Sequence, residues 1–241
     1  MRYALLADIH GNLAAFEAVL QDIAKKGGVA ELWCLGDIVG YGPDPSACIA
    51  LLCKYPHLCV AGNHDWAAIG KVDISDFNPD AAAACRWTGE QLSAADVKYL
   101  ESLPLTLTRD DFTIAHGSPR QPIWEYVLST QSAEDNLRFF ETRYCLIGHS
   151  HVPLVFEHVG KTCVLRELPA ALRLGKNRLI INPGGVGQPR DGDPRAAYAI
   201  YDERDKVIYH YRIPYDIADT QERMVANGLS TFLVMRLSHG W

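Results

Sequence analysis

The sequence predicts a mixed α/β (α+β) fold, a four-layer α-β-β-α sandwich, and three observations carry that prediction. Short apolar runs recur up to residue 147, apolar on both faces and halted by a glycine or a polar residue, which is the pattern of buried strands. A stretch with apolar residues at helical spacing separates the first two runs, as a crossover between parallel strands requires. Beyond residue 151 the pattern changes to closely spaced strand-like segments, enough for a second sheet.

Taken in order, Tyr3–Ala7 is the first strand, and Asn12–Lys26 is the crossover helix, ended by Gly27-Gly28. Leu32–Leu35 is the second strand, Pro43-Asp44-Pro45 opens a short helix, and Leu58–Ala61 is the third strand. The stretch 66–104 interrupts this rhythm. Asn78-Pro79-Asp80 starts a helix running to about Gln91, and Ser93-Ala94-Ala95-Asp96 opens another, so 66–104 reads as a helical insertion. Phe112–Ala115 and Cys145–Ile147 resume the strands. Val152–His158, Thr162–Leu168, Leu179–Asn182, Ala196–Asp202 and Lys206–Pro214 are expected to form the second sheet. Asp216–Asn227 and the tail to Trp241 read as helical.

Polar residues gather where the apolar runs stop. They are Asp8-Ile9-His10, Gly36-Asp37, Gly62-Asn63-His64-Asp65, Ala115-His116-Gly117 and Gly148-His149-Ser150-His151. In open α/β sheets the chemistry collects at the carboxyl ends of strands. Each piece alone is weak: a lone histidine is commonly a hydrogen-bonded core residue, and Asn and Gly mark ordinary turns. Five pieces, each at a strand end, make accident a poor account. Side chains two apart along extended backbone point the same way, so Asp8 with His10, and His149 with His151, are each expected to reach one ion. This oxygen and nitrogen set suits two divalent metal ions, manganese first, with iron, zinc or nickel also compatible. A two-metal site points to displacement at phosphorus or a related hydrolysis.

With these motifs in order from Met1 to about Tyr215, the chain resembles the calcineurin-like metallophosphoesterases, in particular their bacterial and archaeal phosphodiesterase branch. The family pattern D-x-H, G-D, G-N-H-[DE], H and G-H-x-H is present without a gap. The resemblance implies that Asp8, His10 and His151 bind one metal, that Asn63, His116 and His149 bind the second, and that Asp37 bridges both. It implies that His64 is not a ligand but the catalytic residue, meeting the substrate phosphate and protonating the leaving group. It also makes the 66–104 insertion a helical cap on a sandwich of the metallophosphoesterase type, with the metals at the sheet edge.

Departures from the family refine the expectation. Protein phosphatases of this superfamily continue as G-D-x-x-D-R-G, whereas here Gly40 and Tyr41 stand in place of the Asp and Arg. That argues against a phosphoprotein phosphatase and leaves Asp65 and Asp44 as candidates to orient His64. The stretch Ile181–Arg190 resembles the family's I-N-P-G-S-V-G-Q-P-R, with Gly185 for Ser, and reads as a tight turn that sets Arg190 either beside the substrate or in a structural salt bridge. In the loop after His116, Arg120 is a candidate phosphate clamp. Trp124 and Tyr126 are expected to pack the cap against the body, with base stacking the alternative.

Composition bounds the remaining choices. At 241 residues the chain is most simply one domain, 1–241. A net charge of −6 and no basic stripe argue against bulk nucleic-acid binding and against a nuclease. No segment approaches ~20 uninterrupted apolar residues, and Met1 leads almost directly into the first strand, so neither a membrane span nor a signal peptide is expected. Seven cysteines without C-x-x-C spacing suit buried thiols and a cytoplasmic location, and no local signature frames a nucleophilic one. The expected activity is hydrolysis of a small phosphodiester or nucleotide partner. The rivals are a phosphomonoesterase or protein phosphatase, and a non-catalytic metal-binding scaffold of the same fold.

Overall fold

Local chemistry starts the helices where the sequence expects. The Asn12 side chain accepts the Ala15 N–H at 3.1 Å, the Asn78 side chain accepts the Ala81 N–H at 2.9 Å, and Ser93 with Asp96 forms a capping box. The computed structural model describes all 241 residues. Its amino-terminal elements are β1 (Arg2–Leu6), α1 (Leu13–Lys25), β2 (Glu31–Cys34), α2 (Pro45–Leu52) and β3 (His57–Cys59). The 66–104 stretch carries the end of α3 (Asn63–Ala68), then α4 (Pro79–Gln91) and α5 (Ala94–Ser102). β4 (Thr106–Arg109), β5 (Phe112–Ala115), α6 (Thr130–Asn136) and β6 (Tyr144–Leu146) follow. The remainder is β7 (Leu154–Val159), β8 (Thr162–Glu167), β9 (Ala171–Arg173), β10 (Leu179–Asn182), β11 (Ala196–Asp202), β12 (Val207–Ile213), α7 (Ile217–Ala226) and α8 (Thr231–Arg236).

The strands form two six-stranded sheets, ordered β3-β2-β1-β11-β12-β9 and β4-β5-β6-β10-β7-β8. This corrects the expectation that the late strands make a sheet of their own. β11 pairs antiparallel with β1, bringing β12 and β9 into the first sheet, while β10 slots between β6 and β7. The reason is burial. β10 is buried at every position and β11 at all but its last, so each needs a neighbour on both edges and a layer on both faces.

Strand alternation separates the layers. Tyr3, Leu5 and Ala7 point between the sheets with Trp33, Phe112, Leu146 and Ile181, while Ala4 and Leu6 face the other way onto Phe16, Val19 and Ile23 of α1. Leu100 of α5 and the adjoining Leu103 join that helical layer, so part of the insertion is seated on the main core. Cys145, Phe156 and Ile180 form the outer face of the second sheet, with Ala133 of α6 against them. A further cluster joins Tyr41 to Ala81 and Ala84 of α4, Met224 of α7 and Leu233 of α8, which closes the carboxyl-terminal helices over the end of the first sheet.

Candidate metal centre

The candidate ligands follow the carboxyl ends of β1, β2, β3, β5 and β6, as read from the sequence, but they converge by another geometry. Asp8, His10, Asp37, His149 and His151 all adopt positive φ, between 49° and 63°. The backbone is therefore turned into the left-handed region and not extended, a conformation that costs a residue with a Cβ about 1 kcal/mol or more. Cross-loop bonds hold these turns: His10 N–H to Asp37 O at 2.9 Å, His149 N–H to Asp8 Oδ1 at 3.0 Å, and Gly187 N–H to Asp8 O at 2.9 Å. Asn182 braces the 148–151 loop, with Nδ2 donating to Gly148 O at 2.6 Å and to Ser150 Oγ at 3.0 Å.

Two buried groups result, Asp8 with His10 and His151, and Asp37 with His116 and His149, each with its donor atoms within 4.8 Å of one another. The Asn63 Oδ1 lies 3.2 Å from His116 Nε2 and joins the second. Asp37 Oδ2 faces both, 3.5 Å from His10 Nε2 and 3.3 Å from His116 Nε2.

Hydrogen bonds outside the centre orient the rings. Nδ1 of His10 donates to Val39 O, Nδ1 of His116 to Leu35 O and Nδ1 of His151 to Gln188 O. A proton on each Nδ1 leaves the neutral ring's Nε2 lone pair facing inward, the arrangement of metal-binding histidines. Nε2 of His10 and Nε2 of His151 then meet lone pair to lone pair at 3.2 Å. Asp8 Oδ2 is buried without a hydrogen-bond partner, Asp37 Oδ2 has only the facing His10 and His116 rings, and His149 presents Nδ1 to the same centre, 3.1 Å from His116 Nε2. Converging lone pairs and carboxylate oxygens at zero to a few per cent exposure fit divalent cations.

The electrostatics agree. Burial pushes His10, His149 and His151 well below the ordinary histidine range, keeping them neutral as ligands must be. Burial pushes Asp8 up to about 7. For His116, burial disfavours the charge, but Asp37 beside it outweighs that and raises His116 to about 9. Burial likewise works against the Asp37 carboxylate, yet His116, His64 and His10 together hold it far below the usual range.

His64 stands apart from both groups although it adjoins Asn63. The Gly62–Asp65 motif opens α3, a helix that its sequence alone does not announce. Successive helical side chains diverge by ~100°, so Asn63 turns to His116 while His64 turns to the neighbouring wall. There its ring lies 4.3 Å from the Tyr41 ring and 5.4 Å from Phe77, and its Nδ1 meets Cys85 Sγ at 3.2 Å. Neither carboxylate considered from the sequence reaches it. Asp65 accepts the backbone N–H groups of Asp37, Ile38, Val39 and Gly62, and Asp44 is bound to Arg223. No motif pointed to Cys85. The one trace in the sequence is its place on the buried stripe of α4 with Ala81, Ala84 and Thr88.

Asn63, His64 and His149 open onto a cleft of about 510 Å³. Tyr41, Phe77, Trp124 and Tyr126 wall it, and Asp73 and Asp76 stand at its rim. Trp124 packs edge-on against Phe77, as packing predicts, but it is 42% exposed and Tyr126 is 49% exposed, with the Tyr126 ring stacked 3.9 Å from His149. The two arginines part company. Arg120 is not brought to the cleft, because Glu125 and Asp135 hold its guanidinium. Arg190 pairs with no carboxylate: Nη2 donates to Gln188 Oε1 at 2.9 Å, its guanidinium lies 5.7 Å from the Tyr41 ring, and its Nε is buried without a partner. Arg236 of α8, for which the sequence offers no signal, is pushed down to about 10 by burial and by neighbouring Arg190.

Comparison with known proteins agrees with this geometry. The model of the calcineurin-like phosphoesterase superfamily domain matches residues 1–206. An uncharacterized protein of Methanocaldococcus jannaschii is 40% identical over 242 residues, covering 98% of this chain and 97% of that one. A metallophosphoesterase of Sphaerobacter thermophilus, whose crystal structure is known, superposes with a TM-score of 0.89 at 44% identity, covering 100% and 99% of the two chains. A symmetrical bis(5'-nucleosyl)-tetraphosphatase of Pseudomonas putida is 28% identical over 100 residues, 36% of this chain and 35% of that one. With a family model across most of its length and a near relative matching from end to end, this chain belongs to the calcineurin-like phosphoesterase superfamily.

Proposed function

We propose that the protein is a dinuclear metal-dependent phosphoesterase that hydrolyses a small phosphodiester or nucleotide. In this reading Asp8, His10 and His151 hold one divalent cation, Asn63, His116 and His149 hold a second, and Asp37 contacts both. The observation that carries it is the set of three histidines, His10, His116 and His151, whose Nδ1 bonds to backbone carbonyls turn every Nε2 inward on Asp8 and Asp37. Two divalent cations would supply the positive charge that activates water and neutralises phosphoryl oxygens. Manganese is our first choice, with iron, zinc and nickel admitted by the same donors.

The chain's own residues supply the rest. With Nδ1 against Cys85, His64 has its Nε2 left for the cleft and donates a hydrogen bond to the leaving oxygen as the ester bond breaks. Arg190, which pairs with no carboxylate, is the arginine left to bind a second phosphate or the far side of a nucleotide. Tyr41, Trp124 and Tyr126 bracket an aryl or base ring. A walled cleft favours a compact substrate over a phosphoprotein, and the tetraphosphatase name of the Pseudomonas putida relative points to the same class. The reading extends to a single domain over 1–241, with no helix long and apolar enough to cross a membrane. The cysteines, all unpaired and all but Cys53 buried, support a cytoplasmic setting.

The test is a comparison of kcat/KM for bis(4-nitrophenyl) phosphate, 4-nitrophenyl phosphate and a dinucleoside polyphosphate, each with Mn, Fe, Zn and Ni. Preference for the diester or the polyphosphate is expected. Better use of the monoester turns the assignment to a phosphatase, and no turnover with any metal turns it to a scaffold.

A further inference from the structure

We propose that Cys85 is a positioning residue that fixes His64 in the Nε2–H tautomer by donating its thiol proton to Nδ1. The inference rests on the reading of His64 as the group that meets the leaving oxygen. Its basis is the direct contact of Cys85 Sγ with His64 Nδ1 at 3.2 Å, between residues 1% and 4% exposed.

The direction of this bond follows from what surrounds it. His64 Nδ1 has no other partner, and no carboxylate bonds to the ring. Position 40, where a Cβ would lie 2.8 Å from Nδ1, is a glycine and supplies none. Burial, with Asp37 adding to it, pushes the Cys85 thiol up to about 12, so the sulfur keeps its hydrogen. The same fact removes Cys85 as a nucleophile, which requires thiolate. Thiol sulfur is a poorer acceptor than an imidazole nitrogen, so a protonated thiol facing that nitrogen donates to it, and the nitrogen that accepts carries no hydrogen. The ring proton of neutral His64 therefore sits on Nε2, the edge left for the cleft.

A carboxylate in this place would do the reverse. It accepts from Nδ1–H and leaves the neutral ring with a bare Nε2, as a base requires. The thiol instead makes neutral His64 a hydrogen-bond donor to oxygen on which charge develops. Helix α4 provides this contact by packing on α3, so the helical insertion takes part in positioning the histidine as well as in walling the cleft.

The tautomer is read directly from long-range proton–nitrogen correlation spectra of the full chain with nitrogen-15 histidine, metal-free and loaded with diamagnetic zinc. His64 is assigned by its loss in His64→Ala. The wild type and Cys85→Ser are expected to show a single Nε2–H pattern, and Cys85→Ala a mixture of tautomers. In metal-loaded enzyme Cys85→Ala should lower kcat about fivefold, the size of one neutral hydrogen bond, with KM little changed and with recovery in Cys85→Ser. An Nδ1–H pattern in the wild type, or an unchanged single pattern in Cys85→Ala, overturns the proposal. Full activity in His64→Ala overturns the role of His64 in the reaction and is independent of the tautomer result.

Discussion

Asp65 holds Asp37 by its backbone and not by its side chain: Asp65 Oδ2 accepts the Asp37 N–H at 2.9 Å. The other carboxylate oxygen accepts Ile38 N–H at 2.8 Å and Val39 N–H at 3.1 Å, and Oδ2 also takes the Gly62 N–H at 2.9 Å. One buried carboxylate thus joins the loop after β2 to the start of α3 and leaves Asp37 Oδ2 free to face both ligand groups.

Asp65→Asn tests that clamp. An amide has a single acceptor oxygen, and its NH2 would meet backbone donors, leaving two of four buried N–H groups unsatisfied. A loss of about 2–4 kcal/mol of stability is expected, with weaker metal retention. A denaturation midpoint equal to that of the wild type contradicts the clamp.

Asp37→Asn separates a ligand facing both groups from one serving a single ion. Metal content should fall well below the wild-type level at both positions, and turnover should be lost. Elemental analysis that still finds two ions per chain removes the shared role.

His64→Ala should keep metal content close to normal while lowering kcat by about 10²–10³, the usual worth of one donor to an oxygen on which charge develops. The loss should shrink for aryl esters with good leaving groups, which need little help from a proton donor. Loss of bound metal in this variant would make His64 a ligand.

Gly40 carries φ of +93°, and a Cβ there would lie within 3.0 Å of three His64 atoms. Gly40→Ala should therefore cost about 1–3 kcal/mol, and should lower kcat more than it lowers metal content, since the displaced group is His64. Unaltered kinetics would show that the His64 ring is not held against position 40.

His116 gives a pH dependence of known sign. Its folded value, about 9, lies above the ordinary 6.5, so its charge stabilises the metal-free fold fully below 6.5 and that contribution is lost as pH rises through 9. A cation must displace this proton, so metal affinity should rise over the same interval while metal-free stability declines by at most about 3 kcal/mol. Chemical denaturation of chelator-treated and metal-loaded protein across pH 6.5–9 checks both. Parallel, flat profiles would rule out an exchangeable proton on His116.

Much of the candidate site was legible because its information is local. Asp8, His10, Asp37, Asn63, His116, His149 and His151 each close a short apolar run, and strand ends in such sheets point to one side of the molecule. Helix starts at Asn12, Asn78 and Ser93 were legible for the same reason, since a cap is written within four residues. Three things required the assembled chain. The partition of the late strands depends on which edge of which sheet needs covering, and β10 and β11 present the same buried pattern to either. The left-handed turns at Asp8 and His10 depend on a bond from His10 N–H to Asp37 O and one from Gly187 N–H to Asp8 O, partners distant in sequence. The partner of His64 depends on α4 packing beside α3, which sets Cys85 against a ring 21 positions earlier. Residue type and spacing mark which side chains are candidates for the chemistry. Contacts between segments far apart in the chain decide what each of them faces and how its charge is shifted.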